Sequence, residues 1–144
     1  MTHEDAGHYA AKRRGASLNE TIAAELRKAV RDNTILCAEA HGIAGKLNVS
    51  PAEVGIAIDL LEVRITQCQL GLFGHNREKN IAPLPDKIDS AIESAINSSL
   101  AEDRLPCFAA WEIAKKFKMA RPAVAAICEK IKIRISPCQL GAFG

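Results

Sequence analysis

Apolar side chains recur along the chain with the period of amphipathic helices, three to four residues apart. They form two series of three segments, and polar residues, Gly or Pro separate one segment from the next. In the first series the apolar stripes consist of Ile22, Leu26 and Val30, of Ala40, Ile43 and Ala44, and of Val54, Ile58 and Leu61. This pattern predicts a mainly α-helical protein.

Local signals add helix starts and two short strands. Ser17 or Asn19 can cap the first helix, and Ser50 can cap the third, with Pro51 at its first position. The segment TILC, residues 34–37, has the β-branched start of a strand. After the third helix, EVRITQCQLG shortens its apolar period toward two, which predicts a second strand.

The second series repeats the first. The phrase CQLGLFG at residues 68–74 returns as CQLGAFG at 138–144, a shift of 70 residues. At that shift, 14 of the 38 positions in 37–74 match those in 107–144 without a gap. The chain is therefore interpreted as a tandem duplication. We expect a flexible N-terminal arm at 1–16, repeats at 17–74 and 87–144, and a linker at 75–86.

Each copy resembles the winged helix-turn-helix superfamily in its order of helix, short strand, helix, tight turn, helix and strand. The segments GIAGKLNVSPAEVGIAIDLL and EIAKKFKMARPAVAAICEKI show the small residue of the second helix, Ala44 or Ala114, and the apolar residue before the turn, Leu47 or Phe117. The resemblance implies two tandem winged-helix-like domains and a DNA-binding function. After the last strand, only LGLFG or LGAFG follows, which is too short for a long basic wing.

The repeated phrase has two interpretations. Its apolar residues can hold the end of each strand against the three-helix core of the same copy, with Leu70 and Phe73 as anchors in the first phrase and Leu140 and Phe143 in the second. Alternatively, the phrase forms a turn that binds a peptide or a ligand.

Charge is distributed unevenly between the copies. The net charge is +2, but residues 17–74 have 5 basic and 7 acidic side chains, while residues 87–144 have 9 and 6. We therefore predict a small DNA-binding protein, a transcriptional regulator, that contacts duplex DNA mainly through the second repeat. The candidate phosphate-binding residues are Lys115, Lys116, Lys118, Arg121, Lys130, Lys132 and Arg134. A solvated helix face is the simpler explanation of the lysines, and Ala123, Ala125 and Ala126 on the third helix would discriminate little between bases.

A protein-interaction adaptor without nucleic-acid binding is the alternative function. The third helix of the first repeat is acidic where a DNA reader would be basic, and Ile56, Asp59 and Leu60 on that helix are candidates for a protein interface. Small domains of this size are marginal alone, so we also expect the copies to pack together or the chain to form a homodimer.

The cysteines support a third hypothesis, a thiol-based redox or metal sensor. Cys37 and Cys68 in one copy correspond to Cys107 and Cys138 in the other, and these thiols are buried core residues, redox pairs or metal ligands. Five cysteines without an export signal predict a cytoplasmic protein. We expect no membrane span, no cofactor and no enzymatic activity, since no apolar run is long enough and no catalytic motif is present.

Overall fold

The structure, a computed structural model, describes residues 9–13, 15–73 and 85–142. Most of the predicted linker, and Phe143 of the second phrase, lie outside the described residues. The described part is mainly helical, with one small parallel sheet. The elements are a 3-10 helix at Tyr9–Arg13, α1 at Glu20–Ala29, β1 at Thr34–Leu36, α2 at Cys37–Leu47, α3 at Pro51–Leu60, β2 at Arg64–Thr66, α4 at Ser90–Ser98, α5 at Cys107–Lys116 and α6 at Arg121–Lys130.

Helix starts follow the local chemistry. Asn19 caps α1, because its side chain accepts hydrogen bonds from the amides of Thr21 and Ile22. Ser50 caps α3 in a reciprocal arrangement with Glu53, and Pro51 occupies the first turn. These capping predictions for α3 are confirmed, and Asn19 rather than Ser17 caps α1.

The two strands form a parallel pair. Thr34, Ile35 and Leu36 stand opposite Arg64, Ile65 and Thr66, and the helices α2 and α3 form the crossover between them. The predicted strand of the second repeat is reduced to a single parallel bridge between Leu105 and Ile135. Within the described residues, therefore, neither repeat forms the antiparallel hairpin that would make a wing.

The backbone repeats at the same spacing as the sequence. Left-handed residues occur in pairs 70 positions apart, such as Asn33 with φ 62° and Asp103 with φ 63°, or Glu62 with φ 56° and Lys132 with φ 60°. The isolated bridges Arg31–Thr34 and Ala101–Arg104 also correspond. Such conformations are uncommon for residues other than Gly. Their recurrence supports the interpretation of the chain as a duplication.

The chain divides into two compact units, and the described residues of each phrase that follow its cysteine belong to the unit of the other repeat. The N-terminal unit comprises the described residues up to Cys68 together with 139–142, and the C-terminal unit runs from Gln69 to Cys138. We expected each phrase to pack on its own copy, and this is wrong for both phrases: Gln69 of the first phrase accepts a hydrogen bond from Arg121 of the second repeat, and Leu140 of the second phrase lies against α3. A Cβ atom added to Gly55 on α3 would lie 2.7 Å from the carbonyl carbon of Leu140, so the backbone there rests directly on α3.

Apolar packing forms a core in each unit. In the N-terminal unit α1 buries Ile22, Ala23 and Leu26, and Leu140 is buried as well. In the C-terminal unit Leu70 is fully buried, while α4 buries only Ile96. No helix in the described ranges has the length and apolar character needed to span a membrane.

Candidate functional site: the basic surface of the second repeat

The first group of predicted basic residues lies at the end of α5 and in the turn that follows. Lys115 and Lys116 are exposed in the last turn of α5, where positive charge is favourable to the helix dipole. Lys118 is exposed with a left-handed backbone, φ 53°. The Lys116 ammonium lies 5.5 Å from the centre of the Phe117 ring. The turn thus presents three ammonium groups to solvent within four residues of sequence.

The second group lies at the other end of α6. Lys130 is exposed in the last turn of this helix, and Lys132 and Arg134 are exposed beyond it. A helix of ten residues is about 15 Å long, so α6 separates the two groups along the chain by that length.

Arg121 differs from the other predicted contact residues because its guanidinium has partners in the protein. It stacks on the Trp111 ring at 3.6 Å from the centroid, and it donates a hydrogen bond of 3.0 Å to Oε1 of Gln69. Gln69 belongs to the first repeated phrase. Arg121 therefore connects α5, α6 and that phrase inside the C-terminal unit, and only part of its surface is accessible.

The basic residues of the two repeats differ in their ion pairing. In the N-terminal unit several bases pair with acids: Arg13 with Asp59, Arg27 with Glu20, and Lys28 and Lys46 with Glu25. Among the described residues, Lys115, Lys118, Lys130 and Lys132 have no such acidic partner. Arg104 of the second repeat does pair with Glu102, at 3.4 Å, so the difference concerns these four lysines.

The third helix of each repeat, α3 or α6, is more deeply buried than the sequence predicted. In α6 the five consecutive residues Val124–Cys128 are buried, and because 3.6 residues complete a turn, the middle of the helix is covered on every side. Ala125 and Ala126, which the sequence placed where a DNA reader would contact bases, are therefore covered. In α3, Val54, Gly55, Ala57, Ile58 and Asp59 are buried, but Ile56 among them is only partly buried.

The residues predicted to form a protein interface in the first repeat are also less exposed than expected. Asp59 is 4% exposed and pairs with Arg13, whose Nε lies 2.8 Å from Oδ2, so it is not a surface residue available to a partner. Ile56 and Leu60 are half-buried. The segment Tyr9–Arg13, which the sequence analysis placed in the N-terminal arm, covers this part of α3. No periodicity or motif predicted that contact.

The cysteines lie in the packed parts of the two units. Cys37, Cys68, Cys107 and Cys128 are buried, Cys138 is partly exposed, and none of the five forms a disulfide within the described residues. Burial raises the pKa of the Cys128 thiol to about 12. No three His, Cys, Asp or Glu side chains of the described ranges form a group that could hold a metal ion. Cys37, Cys68, Cys107 and Cys138, the cysteines that correspond between the repeats, therefore do not form one metal centre within the described residues.

Comparison of the chain with protein-family models, with curated proteins and with solved structures finds no match.

Proposed function

We propose that the protein binds duplex DNA through phosphate contacts made by the second repeat. The observation that supports this most directly is the set of exposed lysines without acidic partners at the two ends of α6. A positive surface that is not neutralised within the protein attracts the DNA backbone and gains free energy from the release of counterions. Lys115, Lys116 and Lys118 form one contact, and Lys130, Lys132 and Arg134 form the other.

The proposed binding is largely independent of base sequence. Discrimination requires side chains that reach base edges in a groove, and the middle of α6 is buried and consists of Val, Ala, Ile and Cys. The groups that remain exposed carry ammonium ions, which suit phosphate oxygens. A role in transcription would then depend on DNA shape or on a partner protein rather than on base contacts by α6.

A triple charge reversal tests this function. We expect Lys115→Glu, Lys116→Glu and Lys118→Glu together to abolish binding to a mixed-sequence duplex, since three attractions become repulsions. Fluorescence anisotropy over a series of salt concentrations measures the effect on the wild type, where each phosphate contact contributes about 0.9 to the slope of log affinity against log salt.

The matched control is the triple variant Arg27→Glu, Lys28→Glu and Lys46→Glu in the first repeat, which changes the net charge equally. These three bases have acidic partners in the N-terminal unit. Comparable loss of binding in both triple variants would show that total charge, not the second repeat, governs the interaction. Absence of salt-dependent binding by the wild type would reject the proposal.

One observation favours a protein-interaction adaptor as the second candidate. Phe108 on α5 is 61% exposed, and aromatic residues are enriched at protein interfaces. Phe108 lies seven residues before Lys115, so the two occupy one side of α5. If the adaptor function is correct, Phe108→Ala abolishes capture of a purified partner while both lysine groups tolerate substitution.

A further inference from the structure

The N-terminal segment, which we define as Tyr9–Arg13, is held by polar contacts against α3 and the turn that follows it. The carboxylate of Glu62 accepts one hydrogen bond from the amide of Tyr9, at 2.9 Å, and another from the amide of Ala10, at 2.7 Å. One turn further, the Arg13 guanidinium pairs with Asp59. The surface thus contacts two features at once: the backbone amides at the start of a helical turn, and an arginine side chain at its end.

The site is partly enclosed and its shape depends on a glycine. The Asp59 side chain is 6% exposed and the Arg13 side chain 23%. Tyr9 is 7% exposed. A Cβ atom added to Gly141 would lie 2.5 Å from Nη2 of Arg13, so the glycine of the second phrase makes room for the guanidinium. Asp59, Glu62 and Gly141 thus form the binding site for the N-terminal segment inside the N-terminal unit.

The site is specific to the first repeat. The positions that correspond to Asp59 and Glu62 are Glu129 and Lys132, both exposed. A lysine cannot accept the two amide hydrogen bonds that Glu62 accepts. The second repeat therefore lacks the chemistry to bind the same segment.

The connection from the segment to α1 contains an exposed bend. Ala16 donates to the carbonyl of Arg13 at 3.1 Å, and Gly15 has φ 78° with nothing within 4 Å of an added Cβ atom. Gly15, Ala16 and Ser17 are all exposed. A glycine in open space can adopt other conformations at low cost, so this bend can act as a hinge.

From these contacts we infer that, when the intramolecular contact is blocked, the Asp59–Glu62 surface of one chain binds the N-terminal segment of a second copy in exchange for its own. The contacts are the same whether the segment belongs to the same chain or to the other, and reciprocal exchange satisfies both sites of a two-fold dimer. The tether gives the intramolecular contact an effective concentration of the order of millimolar. The wild type is accordingly expected to be monomeric at micromolar concentration and to dimerise when the intramolecular contact is blocked.

Two complementary variants of the full chain test the exchange. Arg13→Glu reverses the charge of the segment and leaves the site unchanged. Asp59→Arg reverses the charge of the site and leaves the segment unchanged. Each variant alone should be monomeric by light scattering, because like charges meet in every arrangement. An equimolar mixture should double the molar mass, because each segment then meets a site of opposite charge. The chain with both substitutions is the control, and it should remain monomeric because its contact is restored within one molecule.

Absence of a heterodimer in the mixture, with both variants folded by circular dichroism, would overturn the inference. If Asp59→Arg does not fold, the Arg13→Glu chain is titrated instead with a synthetic peptide of residues 5–16. Saturable binding of that peptide, lost when the peptide itself has Arg13→Glu, would support the exchange, and no binding would overturn it. If Arg13→Glu also fails to fold, the segment is an inseparable part of the core and the inference is wrong.

Discussion

The glycines of α2 and α3 differ in whether the surrounding structure leaves room for a side chain. Gly42 and Gly45 lie on the exposed side of α2, where an added Cβ atom meets nothing within 4 Å. Gly55 is buried in α3, and the backbone of Leu140 occupies the space that a side chain would need. The position corresponding to Gly55 in the second repeat is Ala125, which is also buried. A helical glycine is thus required in one repeat and replaced in the other.

This difference predicts that Gly→Ala has opposite effects on stability at positions 55 and 42. Gly55→Ala should lower the free energy of unfolding by about 1–3 kcal/mol, because the new methyl group overlaps the Leu140 carbonyl and either α3 or the phrase must shift. Gly42→Ala is the control and should raise it by about 0.5–1 kcal/mol, through helix propensity alone. Urea denaturation of both variants measures the effects. A stabilised Gly55→Ala variant would contradict the contact with Leu140.

At the scale of elements, helices are joined by a few polar contacts as well as by apolar packing. Glu25 on α1 receives hydrogen bonds from Lys28 on the same helix and from Lys46 on α2, at 3.3 and 3.0 Å. The bond from Lys46 is the main cause that lowers the pKa of Glu25. In the C-terminal unit, the stack of Arg121 on Trp111 and its bond to Gln69 join α5, α6 and the first phrase.

The lowered pKa of Glu25 predicts a pH dependence of stability. A carboxyl group whose pKa is lower in the folded chain stabilises the fold above its ordinary pKa, 4.5, and loses that contribution as the pH falls through the folded value. The melting temperatures of the wild type and Glu25→Gln should therefore differ at neutral pH and converge in acid.

Lys46→Gln provides the matched control for this prediction, since it removes the main partner of the carboxylate. It should reproduce most of the Glu25→Gln effect at neutral pH and add little in the double variant. A difference between wild type and Glu25→Gln that stays constant from neutral to acid pH would show that charge on Glu25 has no part in it.

At the scale of the whole molecule, the units and the repeats are assembled from different stretches of chain. Residues 139–142 complete the N-terminal unit, and residues 69–73 belong to the C-terminal unit. Each unit thus contains a phrase from the other repeat. This arrangement gives the repeated phrase a structural role in each unit, and Gly141 in the second phrase additionally accommodates Arg13.

The exchanged phrases predict that a substitution destabilises the unit of the other repeat. Leu140→Ala should cost about 2–5 kcal/mol, as for other fully buried leucines, and the loss of amide protection should appear first in α3. Leu70→Ala is the matched variant, and its loss of protection should appear first in α6. Hydrogen exchange read by mass spectrometry distinguishes the helices. If Leu140→Ala loosens α6 and leaves α3 protected, the assignment of the phrases to units is incorrect.

The amino-acid sequence by itself determined the helices, the cap of α3, the 70-residue repeat and the excess of positive charge in the second copy. These properties depend on side chains within about four residues of one another or on simple counting, so the pattern contains them directly. The exposed lysines follow from the same pattern, because lysine is almost never buried without a partner.

Only the tertiary structure decided which unit each phrase completes, that Asp59 pairs with Arg13, that the strands run parallel, and that the middle of α6 is covered. Arg13 and Asp59 are 46 residues apart, and Gly55 and Leu140 are farther apart still. Contacts at such separations leave no periodic mark in the sequence. A duplicated chain also offers two similar three-helix cores to two nearly identical phrases. Gly55 shows the difficulty: the reason for a glycine at this position is visible only once the backbone of Leu140 lies against it.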